Sequence, residues 1–258
     1  PSPTRGDASI KAASTQVNLI AATETEVQVL INKHYEYSRL IEDITEAQAL
    51  SSLRQFYTDD AGYALGKQVD TDIIRLGRLA QGGAGARYAG AFIGSNGTTA
   101  YDYTTDNQAA LTDAAIRRSI QRLDDSDVPM DNRFFIVPPS TRNTLMGLAR
   151  FTEQAFVGEQ GGSNTIRNGE IGDVYGVKVF VSTNADTPTD ANDGSGTAQP
   201  ARICLMAHKD AFVLVEQVGI RAQTQYKQEY LGTLFTADTL YGVAELRDYA
   251  SVALAVPV

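Results

Sequence analysis

The spacing of apolar residues along the chain changes period several times, and those changes divide it into elements. Val17, Leu19 and Ala21 alternate with polar or smaller residues, and Val27, Val29 and Ile31 alternate more cleanly. Tyr35-Glu36-Tyr37-Ser38-Arg39-Leu40-Ile41 is a third strand-like run. Period two is the signature of a half-buried strand, so this section is predicted to be extended and antiparallel. The period then lengthens. Leu50, Leu53, Phe56 or Tyr57, Ala61, Ala64 or Leu65, Val69, Ile73, Leu76 and Leu79 recur at helical spacing. Thr45-Glu46-Ala47-Gln48 has capping-box spacing at the front, and Gly82-Gly83 is a stop. A helix of about 35 residues is thereby predicted, a rod of roughly 50 Å. Gly62, Gly66 and Gly77 within it each cost up to about 1 kcal/mol against alanine, which predicts kinks or close packing there.

Residues 82–104 are glycine-rich and polar, a predicted loop or hairpin. A second helix is expected over Asn107 to Leu123, followed by a buried strand at Arg133–Val137. Pro138-Pro139 breaks that strand, and Ser140 is the expected N-cap of a helix through Leu148. Val177, Val179 and Val181 mark another strand, and Thr183 to Pro200 reads as a surface loop. Apolar runs at Ala201–Met206 and Phe212–Val215 follow, and Val252, Leu254 and Val256 alternate near the end. The fold class is α+β.

Composition adds limits. The 258 residues are 43% hydrophobic and 21% charged, ordinary for a globular protein with a substantial core. The formal charge of −9 argues against free nucleic-acid binding through a basic face. It does not exclude a container for nucleic acid, since a like-charged wall does not trap its contents. Cys204 is the single cysteine and lies in the apolar run Ile203-Cys204-Leu205-Met206, as a buried thiol would. One cysteine allows no disulfide framework. No apolar stretch approaches the roughly 20 residues a membrane helix needs. The chain opens Pro1-Ser2-Pro3-Thr4 with no initiator methionine and no signal-peptide pattern, which predicts a processed front or residues preceding it.

Candidate chemistry is sparse. His34 and His208 have no Cys, Asp or Glu at metal-ligand spacing, and no Gly-x-Ser-x-Gly elbow occurs. Gly82-Gly83-Ala84-Gly85-Ala86 follows a helix and lacks the Gly-Lys-Ser/Thr ending of a phosphate loop. Asp70-Thr71-Asp72 lacks the glycine and glutamate of a calcium loop and reads as a solvated helix face. Arg5-Gly6-Asp7 reads as an ordinary turn, and Asn96-Gly97-Thr98 as a sequon without a secretory context. No catalytic, metal or cofactor constellation is expected. An arm, a long helix and a compact α/β unit suit a subunit that builds by contact.

The order and wording of these pieces resemble the major capsid proteins of tailed bacteriophages, which share the Hong Kong 97-like fold. The likeness runs from Thr25-Glu26-Val27-Gln28-Val29 through His34-Tyr35-Glu36-Tyr37 into Ile41-Glu42-Asp43-Ile44. It continues at Ala61-Gly62-Tyr63-Ala64-Leu65-Gly66, and is strongest over Leu123-Asp124-Asp125-Ser126-Asp127-Val128-Pro129 and Arg133-Phe134-Phe135-Ile136-Val137-Pro138-Pro139. Gly172-Asp173-Val174-Tyr175-Gly176-Val177 and Tyr241-Gly242 also fit. The resemblance implies a returning limb of an extended loop at 1–22 and a peripheral domain with its long spine helix and following loop at 23–106. An axial domain at 107–217 and peripheral return strands at 218–258 would complete it. It implies a non-enzymatic virion protein forming the hexamers and pentamers of an icosahedral head assembled in the host cytoplasm. Portal and scaffolding or decoration proteins would be partners. Double-stranded DNA would be enclosed without sequence-specific binding, and no membrane would be involved. Subunit contacts are expected at Arg5 and Asp7 in the arm, and at Asp186, Asp190 and Asp193 in an axial loop. The alternatives are an encapsulin-like compartment shell, distinguished by protein cargo, and a soluble ligand-binding module.

Overall fold

A computed structural model describes residues 2–3, 8, 10–17, 24–48, 53–82, 88–103, 105, 107–148, 172–188 and 200–258. Two sheets carry the fold, with a long helix lying between them in the chain. The first is three-stranded, in the order β3 (Lys33–Glu42), β10 (Gly232–Glu245), β9 (Phe212–Lys227), and wholly antiparallel. Tyr35, Tyr37, Phe235 and Ala237 point from one face of it onto Ala61 and Leu65 of helix α2 (Leu53–Arg75). The expected strand at 35–41 is therefore present, and the Phe212–Val215 run is the start of a much longer one. The strands expected at Val17–Ala21 and Val27–Ile31 are not formed where the chain is described: 26–32 carry no regular structure, and 18–23 lie outside the described residues. Short strands β1 (Ser2–Pro3) and β2 (Glu24–Thr25) pair antiparallel there instead.

The second sheet has six strands in the order β4 (Phe92–Ile93), β11 (Ser251–Pro257), β8 (Ala201–His208), β5 (Arg133–Val137), β7 (Val177–Val181), β6 (Asp173–Val174). The closing strand thus pairs with β8 and β4, not with the return strands of the first sheet where the 218–258 expectation put it. Its sequence explains the placement. Val252, Leu254 and Val256 face one core, beside Phe135, Met206 and helix α3 (Asp113–Asp125); Ala253 and Ala255 face the other, beside Tyr88, Tyr101 and Ala80. Large side chains on one face and alanines on the other make a strand buried on both sides, with a close approach on the small-residue side.

The long helix is described in two stretches, and residues 49–52 between them lie outside the described residues. Helix α1 (Asp43–Gln48) opens before Thr45, α2 follows at Leu53, and Leu76–Gly82 tightens to a 3-10 turn ending at the predicted glycine stop. Helix α2 alone is 23 residues, about 35 Å. Of its glycines, Gly77 alone is crowded: a Cβ there would lie 2.9 Å from Leu205 of the second sheet, whereas Gly62 and Gly66 face open space. Helix α3 starts at Asp113, not 107, because Thr112 takes the cap position and accepts from the Ala115 amide. Helix α4 (Pro139–Met146) is preceded by Pro138 as cap, so Ser140 lies inside it. The hairpin joining β6 to β7 turns through Tyr175 and Gly176, both at positive φ (52° and 79°), the two-residue geometry that matches strand twist.

Candidate functional site

The chemistry of this molecule is concentrated where the spine meets each sheet. Asp72, read from sequence as solvated, is 4% exposed. Position 72 lies on the stripe of Ala61 and Leu65, so its side chain is turned under the three-stranded sheet. There it accepts from the Tyr241 hydroxyl at 2.8 Å and from Gln68 Nε2 at 3.3 Å, and pairs with Lys33 Nζ at 3.2 Å. Burial, then the bond to Asp72, drives the Tyr241 phenol upward, so it stays a neutral donor.

The second anchor is Asp186, 6% exposed. It receives Arg78 Nε at 2.7 Å and Nη2 at 3.2 Å, a forked charge-assisted pair, and the Tyr88 hydroxyl at 2.7 Å. Arg75 Nε lies at 3.6 Å. The Asp186 carbonyl accepts from the Ile203 amide, which fastens the cluster to β8. Tyr88 is fully buried, and its phenol is held well above the ordinary range by burial first and by the Asp186 charge second. Asp186 was expected at a subunit contact; within this chain its carboxylate faces inward and is engaged by Arg78 and Tyr88. Arg5, Asp7, Asp190 and Asp193 lie outside the described residues.

On the face of the three-stranded sheet away from the spine, Arg221, Asp238 and His34 link all three strands. Arg221 donates Nε and Nη2 to the two oxygens of its cross-strand partner Asp238, at 2.7 and 2.9 Å, and His34 Nε2 lies 3.1 Å from Oδ2. The guanidinium first, and His34 second, pull the Asp238 carboxyl down from 3.8 to about 2. A depressed folded-state pKa contributes stability above the unfolded value and loses it as pH falls through the folded one. The advantage of the native protein over Asp238→Asn is therefore expected to be constant above about pH 5 and to be lost as pH falls through about 2. Urea titrations of both proteins across that range check it, and added salt should shrink the difference because the group is solvent-screened.

The remaining polar groups do not converge. Cys204 is fully buried against Thr141 at 3.6 Å, and burial pushes its thiol up to about 12, which leaves it unreactive. His208 accepts from the Asp210 amide and closes a turn. Asn96 caps its own turn by accepting from the Thr98 and Thr99 amides. Among the described residues no three metal-ligating side chains gather, and no helix is long and apolar enough to cross a membrane. A cleft of about 570 Å³ beside β5 and β7 is lined by Met130, Phe134 and Phe180 together with Lys178 and Asp131.

What the surface offers instead is apolar side chains without cover from their own chain. Ile10 and Val17 of the arm are exposed, as are Phe56 and Tyr63 on the spine. Leu40, Ile44, Tyr226, Tyr230 and Leu231 form a further group at one end of the three-stranded sheet, where the Asp43 amide donates to Leu231 O and Tyr226 donates to Asp43. Exposed apolar groups gathered in this way offer surface for contact with other molecules.

The model of the family described as phage capsid protein matches residues 2–244. No curated protein matches the chain. Among solved structures, the capsid of the cyanophage P-SCSP1u is similar with a TM-score of 0.74 at 19% identity, covering 98% of this chain and 81% of that one. The mature capsid of bacteriophage PhiM1 follows at 0.69 and 15%, covering 98% and 80%. A Mycobacterium phage Che8 chain gives 0.68 and 19%, covering 93% and 76%. At these identities the structural likeness is one of fold.

Proposed function

The chain belongs to the phage capsid protein family, and from that membership we propose that it is the major shell subunit of a tailed, double-stranded DNA phage, closing into an icosahedral head from hexamers and pentamers. The observation that carries the reading is the family match over 2–244, joined to a fold in which a spine is pinned to two separate sheets. The protein is a structural component of the virion capsid and assembles with copies of itself.

In this reading the subunit carries out no reaction of its own; it builds. The three-stranded sheet with α1 and α2 forms the peripheral domain. The six-stranded sheet with α3 and α4 forms the axial domain, to which β4 and β11 also belong. The arm bearing Arg5 and Asp7, and the loop bearing Asp190 and Asp193, contact neighbours. Each contact need only be weak, because a closed shell multiplies many of them and leaves no open ends. A net charge of −9 suits a wall that encloses DNA without gripping its sequence, since a strongly basic wall would bind the duplex and resist its entry. Portal and scaffolding or decoration proteins complete the proposed set of partners.

Negative-stain imaging with sizing chromatography of the expressed protein tests this. Closed shells, or rings of five and six, are expected. A monodisperse monomer or dimer under all salt conditions overturns the assembly reading.

A further inference from the structure

The chain crosses between the two sheets twice in its last third, and the crossings lie side by side. Residues Lys209–Ala211 carry it from β8 to β9, and 246–250 carry it from β10 to β11. They are tied at one atom: the Ala211 carbonyl accepts from the amides of Leu246, at 2.8 Å, and Arg247, at 3.3 Å. A change in the angle between the sheets therefore bears on this pair, and the turn at Asp248–Ala250 also packs on the 3-10 end of the spine.

Glu245 is the last residue of β10, opposite Phe212, immediately before the crossing. It is partly buried, and its Oε1 is shut off from solvent with no hydrogen-bond partner among the described residues. The charged side chains on the surrounding elements are Lys209 and Asp210 on the first crossing, Arg247 and Asp248 on the second, and Arg75 and Arg78 on the spine. Both spine arginines are committed to Asp186, and Asp210 faces His208 at 3.7 Å. The neighbour whose charge acts on Glu245 is Asp248, which has the same sign. Ionised, Glu245 holds one oxygen out of water beside a like charge, whereas a carboxylic acid is better tolerated.

We propose that Glu245 is a proton-operated latch on the hinge between the two sheets: protonated, it lets the paired crossings close, and ionised, it loosens them. In a shell, the angle between the sheets shapes how subunits meet, so the latch would tie that angle to pH. Burial first, and Asp248 second, raise the carboxyl from 4.5 to about 7, so the change falls near neutrality. The sign follows from linkage. A folded-state pKa above the unfolded value makes the contribution complete below about 4.5 and lost as pH rises through about 7.

Hydrogen exchange of the full-length protein, corrected for the intrinsic pH dependence of exchange, reads the latch at the Leu246 and Arg247 amides. Between about pH 5.5 and about pH 8.5 the native protein should lose protection there, on the order of tenfold. Glu245→Gln, which keeps the shape and cannot ionise, should stay protected at both. The same loss in Glu245→Gln as in the native protein overturns the proposal. Should that variant not fold, Asp248→Asn decides: removing the like charge must move the transition to lower pH, and an unchanged midpoint overturns the latch. The exchange is read within one subunit, so the result does not depend on whether shells form.

Discussion

Replacing Asp186 with alanine is expected to cost about 3–5 kcal/mol, the range for removing one partner of a buried ion pair. The reason is what stays behind. Arg78 keeps a largely buried guanidinium with no carboxylate to receive its fork, and the Tyr88 hydroxyl loses its acceptor inside the core. For a chain of this size that corresponds to a fall in melting temperature of roughly 6–20 °C. Arg75→Ala should be nearly silent, below about 1 kcal/mol, because that side chain is more than half exposed and its approach is longer. Thermal unfolding of both variants separates the cases. An Asp186→Ala protein within about 1 kcal/mol of native would show that the cluster does not hold the spine to the six-stranded sheet.

Asp72→Ala should have the second largest effect, about 2–4 kcal/mol, somewhat less because Lys33 is partly solvated and retains water when its partner goes. Tyr241→Phe removes one bond and should cost about 1–2 kcal/mol. The double variant provides the sharper measurement. If Tyr241 acts through Asp72, the two losses should fall short of additive by about 1 kcal/mol. Full additivity would mean that the 2.8 Å bond contributes nothing beyond the packing of the ring.

These two aspartates also mark the limit of sequence reading. Asp72 sits in Asp70-Thr71-Asp72, a polar triplet that looks solvated, and only one of its two carboxylates is buried. Helical phase could have separated them, since 61, 65 and 72 share a stripe and 70 does not. Nothing local marks Asp186, whose partners are about a hundred residues away at 78 and 88. Glu245 is equally silent in the sequence, because its surroundings come from two crossings that the chain makes separately.

By itself the sequence determined the α+β class, the strands at 35–41, 133–137 and 177–181, the apolar run at 201–206, the glycine end of the spine and the family resemblance. Each of those signals is local: a side-chain period, a breaking residue or a short run of wording acts within a few residues. The tertiary structure alone decided that β11 joins the six-stranded sheet, that β9 runs far beyond its apolar start and pairs with β10, and which aspartates face inward. Those outcomes depend on which surfaces meet, and the free energy of burying a charge or pairing a strand is set by partners distant in sequence.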